Sequence, residues 1–376
     1  MAVRRPGLAV LAFAVLAAGC TPEQPAERGE PPAVHTPSAA PAGRWPIAGV
    51  WPSQDFSGVF AVSAKYVVRP DPRDTRSVVV ERRGTGAGTD GGGVVLRHQV
   101  PDRRFQTDFA ALYGDVVVLV DEDVESPEGA KGGARGVIHD LATGRAVNVA
   151  EVPGAPPLSR YGPQATVSAD GRYIYSAGVG GGFSNCVGEV DLGTMRGRTV
   201  ECAPEGQFIL YVRSGEHGAT WTLFKGAGFG GCRVGRGIRA GVPYTIAPDA
   251  CDTFDTASVG GWHVRTVQQP GAAVQPASPI TATDGTHVVD LGVARGQSLI
   301  GCGGYVYWKR EIDGEELVRW RPGAAPEVVL RVPQPPSDSP EAVLLTPKAC
   351  SDGTVLTAAV TRTTGGPFTA TVYTIP

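Results

Sequence analysis

The chain has 376 residues, 42% of them hydrophobic and 19% charged, with a formal charge of −3 at neutral pH. That length supports a sizeable core, and the near-neutral balance provides no basic footprint for nucleic acid. Seven cysteines are an odd number, so at least one stands outside any disulfide framework.

In chain order, Arg4 and Arg5 lead into an apolar stretch from Leu8 to Leu16, which ends in the small residues Ala17, Ala18 and Gly19. This is the order of a secretory signal, and its apolar part is shorter than the ~20 residues a spanning helix needs. The segment LAAGC at 16–20 resembles the lipobox of bacterial lipoproteins. The resemblance implies that residues 1–19 are a signal peptide. It also implies that the Cys20 thiol receives a diacylglyceryl group, with palmitate as an expected acyl chain, and that the mature chain is held at the extracytoplasmic face of the cell membrane. An ordinary signal peptide with an incidental Cys near the cut is the alternative, and Arg4-Arg5 leaves both general and twin-arginine export open. Loss of the two arginines takes the formal charge from −3 to −5.

Residues 20–44 comprise Cys20 and a stretch with six prolines and almost no bulky apolar side chain. Such a composition cannot bury enough surface to offset its ordering entropy, so a disordered tether is expected, with a maximal reach of roughly 75 Å. A folded domain is expected over 45–376. It is rich in Gly, Val and Thr, has no long run of helical periodicity, and alternates short β-branched segments with Gly, Pro and Asp-Gly punctuation. The expected class is all-β.

One element recurs: a small residue at a turn, followed by a strand. Ala64, Gly114, Gly171, Gly218, Gly261, Gly304 and Gly353 hold equivalent places, at intervals of 50, 57, 47, 43, 43 and 49 residues. That is the blade period of a β-propeller, and it predicts seven four-stranded blades. The last unit supplies three strands only, so the segment RWPIAGVW at 44–51 is expected to close the ring upon it and remove the unpaired edges. SADGRYIYSAG at 168–178 resembles the S-x-D-G-x-x-I-Y element of TolB-like and YVTN-type propeller repeats, in which the Asp-Gly turn joins the two inner strands.

With Cys20 assigned to lipid, six cysteines remain in an oxidising compartment. Cys186 opens the third strand of unit three and Cys202 closes its fourth; Cys232 and Cys251 are expected at the same places in unit four. Each pair flanks an outer hairpin whose opposed strands bring it within bridging distance. Cys302 and Cys350 precede the inner turns of units six and seven, which predicts an inter-blade bridge. No C-x-x-C is present to suggest zinc.

Catalytic signatures are sparse. Two G-x-G-x-x-G matches, at 86–91 and 226–231, lack the βαβ unit of a dinucleotide site, and G-x-S-x-G, S-x-x-K and H-E-x-x-H do not occur. His139, His217 and His263 could gather around the axis by radial symmetry, although ordinary strand or loop positions suit them as well. Asp121 and Asp123 open an acidic run expected to begin a long loop of unit two. Asp249, Asp252 and Asp255 are expected between units four and five. Neither run has the spacing of a calcium loop, so no cofactor is assigned, with Ca²⁺ as an alternative. Trp221, Trp262 and Trp308 are expected to pack between blades.

Long Gly- and Pro-rich loops between second and third strands, and between blades, should crowd one end of the ring. Tyr161, Phe183 and Phe229, with Asp121 and Asp123, are the candidate contacts there. The expected function is recognition of a protein, peptide or envelope polymer by a membrane-anchored, monomeric propeller. The alternative is an enzyme site in the central funnel, as in the lactonase-like propellers that the YVTN-type resemblance brings with it.

Overall fold

The computed structural model describes residues 43–51, 59–83, 93–124, 133–159, 164–179, 184–215, 218–225, 231–239, 241–247, 250–268, 277–312, 314–333, 342–363 and 368–375. Strand β1 (Gly43–Trp51) comes first. Blade 1 is β2 (Ala61–Val62), β3 (Tyr66–Asp71), β4 (Asp74–Arg82) and β5 (Val94–His98). Blade 2 is β6 (Phe105–Tyr113), β7 (Val116–Asp123), β8 (Ala134–Asp140) and β9 (Ala146–Asn148). Blade 3 contains β10 (Ala165–Val167), β11 (Arg172–Ala177), β12 (Cys186–Asp191) and β13 (Arg196–Cys202). Blade 4 follows with β14 (Phe208–Gly215), β15 (Gly218–Lys225), β16 (Cys232–Arg239) and β17 (Val242–Ile246). Blade 5 has β18 (Thr253–Val259), β19 (Trp262–Val267), β20 (Ser278–Thr283) and β21 (Val288–Ala294). Blade 6 has β22 (Ile300–Cys302), β23 (Tyr305–Glu311), β24 (Gly314–Trp320) and β25 (Glu327–Pro333). Blade 7 begins with an interrupted inner strand, β26 (Ala342–Leu345) and β27 (Cys350–Ser351), and continues through β28 (Val355–Thr363) and β29 (Phe368–Ile375).

Each blade is an antiparallel meander, and β1 supplies the outermost strand of blade 7 by pairing antiparallel with β29. The ring therefore closes as the strand count of the last unit requires. All seven turn residues singled out by the repeat lie at the junction of a first and a second strand. The Gly303-Gly304 turn has φ of 58° and 79°, the left-handed region that a two-residue hairpin of this twist demands.

The core lies between blades rather than within them. Phe109, Val118 and Ile138 of blade 2 pack on Tyr173, Tyr175 and Val190 of blade 3, and Val264 and Ile280 of blade 5 pack on Trp308 and Val318 of blade 6. Trp221 and Trp308 are fully buried, whereas Trp262 is half-buried and meets Trp320 edge-on at 5.8 Å. Burial of side chains this large contributes about 3 kcal/mol each, which lets thin sheets cohere. Blades 4 and 5 are additionally joined by polar contacts: Thr220 and Thr222 donate to the carbonyls of Thr256 and Phe254.

Three disulfides join the expected partners, Cys186–Cys202, Cys232–Cys251 and Cys302–Cys350. Cys186 and Cys202 face each other across β12 and β13. Cys251 does not close β17 as its counterpart closes β13; it lies beyond that strand, where Arg233 N–H donates to its carbonyl.

Candidate functional site: the loop end of the ring

The antiparallel meander sorts the connections. First-to-second and third-to-fourth turns share one end of the ring, and second-to-third loops and blade-to-blade connections share the other. Tyr161, Phe183 and Phe229, expected at the loop end, lie outside the described residues, as do His217, Asp249 and nearly all of both glycine motifs. Asp121 and Asp123 are not loop residues; both belong to β7 and are buried. A strand there is favoured because the register continues to the Phe105–Asp123 rung, with Asp108 looped out as the extra residue of a bulge.

Asp121 is held rather than displayed. His98 Nε2 lies 2.9 Å from both of its carboxylate oxygens, and Thr107 Oγ1 donates to one of them at 2.9 Å. His139, on the third strand of blade 2, meets the His98 ring edge-on at 5.5 Å. Burial, reinforced by repulsion from His98, lowers its pKa from 6.5 to about 4. His139 and His263 stand on a third and a second strand, so the described histidines do not gather at the axis.

A second buried polar cluster braces the loop end across blades 4, 5 and 6. One extra residue in β14, between Leu210 and Arg213, bulges the strand and leaves Tyr211 at φ 55°. Tyr211 packs against Phe254 at 4.9 Å and accepts a hydrogen bond from Gln297 Nε2 at 3.1 Å. Gln297 is itself at φ 63°, and two non-glycine residues in this region mark stored backbone strain. A bulge in β18 sets Asp255, which was expected in a connection, inside the strand and completely buried. Its carboxylate accepts from the N–H groups of Leu299 and Thr256 and lies 3.4 Å from Arg213. Burial pushes its pKa up, opposed by Arg213 and these N–H donors. Arg233, also buried, lies between the rings of Phe224 and Phe254 at 5.0 and 5.2 Å and bonds Gln268. The bulges and positive φ values have no signature in residue type, so the sequence offered no signal for this cluster beyond the Asp252–Asp255 acids.

The axis at the opposite end holds a cavity of about 180 Å³. Its walls are Ser168, Ser214, Ser258 and Thr354, backbone of Gly301 to Gly304 and Gly353, and the Cys302–Cys350 bridge, with Tyr305 at the side. No carboxylate, imidazole, amine or guanidinium is among the described residues that line it. Inner strands of non-adjacent blades touch here: Ser214 Oγ donates to the Gly301 carbonyl at 2.6 Å, and a Cβ on Gly301 would lie 2.7 Å from the Ser214 carbonyl oxygen. Among the described residues no set of three or more His, Cys, Asp or Glu side chains is placed to hold a metal ion.

Seven radially arranged four-stranded blades closed by an N-terminal strand define a β-propeller. The chain is similar in fold to a solved prolyl endopeptidase, at 14% identity and a TM-score of 0.51. The likeness covers 85% of this chain and 50% of that one, so the chain spans about half the length of that peptidase. It is also similar to the β-propeller domain of the Trilobed protease from Pyrococcus furiosus, at 10% identity and a TM-score of 0.48 over 85% of this chain and 96% of that one. An oligogalacturonate lyase from Vibrio parahaemolyticus matches at 11% identity and 0.45, over 82% and 85%. At these identities the likeness shows the fold alone. No protein-family model matches the sequence, and no curated protein matches it.

Proposed function

We propose that the protein is a lipid-anchored recognition propeller at the extracytoplasmic face of the cell membrane, held through Cys20 and binding a protein, peptide or envelope polymer at its loop end. The observation that carries this reading is the loop end, braced by buried charge and strained backbone, the kind of rigid support on which loops carry recognition.

Two measurements test this reading. A photo-crosslinking residue at Val124 or Val179, both exposed at the loop end, should capture the ligand on intact cells, and one at Val95 on the outermost strand of blade 1 should not. Equal capture from all three positions overturns the loop-end assignment. Separately, the chain purified from membranes should begin at Cys20 and carry a diacylglyceryl group there, read as the mass of its N-terminal peptide; an unmodified Cys20 overturns the lipid anchor.

A further inference from the structure

We propose that the turn end of the ring, over blades 4 to 6, docks on an anionic phospholipid surface. The inference goes beyond loop-end recognition and rests on the anchoring reading for its geometry. Strand β1 enters the ring at Gly43, opposite Thr374, next to the rung on which Leu356 faces Ile375. That rung adjoins the inner turn of blade 7, so the tether joins the ring at the end where the first-to-second and third-to-fourth turns lie. Residues 21–42 separate this point from Cys20. At about 3.1 Å per residue a Pro-rich chain of that length reaches at most roughly 70 Å, so it is this end of the ring that is tied to a bilayer holding Cys20 and within reach of it.

The turns there have the composition of an interfacial surface. Val242, 66% exposed, stands at the β16–β17 turn of blade 4, and Val288, 74% exposed, at the β20–β21 turn of blade 5. Arg239 and Arg321 flank them on blades 4 and 6, both exposed, each with its guanidinium over a tyrosine ring at 5.4 Å, Tyr244 and Tyr305 respectively. Neither arginine has a carboxylate partner among the described residues. The acid in these three turns, Asp284, is engaged by the His287 ring and by the N–H groups of Thr286 and His287. Aliphatic tips that enter the headgroup layer, tyrosines at its level and arginines free to meet lipid phosphates form one complementary set. Docked in this way, the ring turns its loop end away from the membrane, toward ligands in the envelope.

The test uses the chain from Thr21, which retains the tether, every strand of the closed ring and all three disulfides, and lacks the apolar leader that would bind lipid by itself. Co-sedimentation is measured with phosphatidylcholine vesicles, with and without phosphatidylglycerol, at low and high salt. Binding is expected only with phosphatidylglycerol and is expected to weaken with salt. R239E/R321E and V242D/V288D should each reduce the partition by about tenfold or more, while R103E/R135E, two exposed arginines at the loop end, should leave it within about twofold. Unchanged melting and an unchanged non-reducing peptide map confirm that each variant is folded. Equal binding to neutral and anionic vesicles, or equal loss in R103E/R135E, overturns the proposal. So does a dimer in solution that V242D/V288D dissociates, because the surface would then be a contact between copies. Failure of the anchor is distinguishable: it appears as an unmodified Cys20 with vesicle binding intact, whereas a diacylglyceryl-bearing Cys20 without vesicle binding overturns the docking surface alone.

Discussion

At the residue scale, Asp121 and Asp255 show how far a carboxylate's position in sequence can mislead. Each lies in or near an acidic run that reads as solvated loop charge, yet each is fully buried and satisfied by hydrogen bonds, because a bulge carries the strand past the expected boundary. The neighbouring His139 has a measurable consequence. Its folded pKa of about 4 lies below the ordinary 6.5. Above 6.5 the ring is neutral in folded and unfolded chains and its contribution is complete. As pH falls toward 4 the unfolded chain binds a proton that the folded chain refuses, and stability is lost. Urea unfolding should therefore reveal a destabilisation of about 2 kcal/mol over that window, discounted for the partial exposure of the ring, and His139→Asn should lack this component. An identical pH dependence in the variant would place the loss at another group.

At the scale of the element, the hairpin is the unit that the sequence exposes most plainly. Strands of alternating burial, such as β20, and paired cysteines sixteen residues apart follow from period-two patterning and turn length, which are local properties. The inter-blade bridge is a different matter, since Cys302 and Cys350 are separated by 48 residues and meet only because successive inner strands stand side by side. Loop-closure entropy makes it the stronger constraint. Cys302→Ala/Cys350→Ala should cost about 4 kcal/mol in urea unfolding, against about 3 kcal/mol for Cys186→Ala/Cys202→Ala. The reverse order would show that strain or residual structure outweighs the chain-entropy contribution at these bridges. Placement of Cys251 beyond β17 was not legible, because a disulfide constrains the separation of two residues without requiring both to sit in paired strands.

At the scale of the whole molecule, closure by β1 is the decisive step. A chain starting after Trp51 leaves β29 with an open edge and deprives blade 7 of a strand, so calorimetry should show the melting temperature lower by about 10 °C or more, with a tendency to associate through the exposed edge. Unchanged melting would mean that the ring holds without its fourth outer strand. Closure also separates the two ends of the molecule. Second-to-third loops and strained, buried polar groups lie at one end; short turns, the exposed Val242 and Val288 and the start of β1 lie at the other.

The sequence by itself determined the all-β class, the blade repeat, the strand that closes the ring and the partners of the six cysteines, because each of these follows from periodicity, turn chemistry or counting along the chain. Only the tertiary structure decided which side chains meet. Asp255 reaches Leu299 across 44 residues, and Ser214 reaches Gly301 across 87, past an intervening blade. Contacts of that separation depend on the angle at which each blade joins the next and on where a bulge adds one residue. Those quantities are fixed by packing between sheets and leave no periodic trace in the order of amino acids.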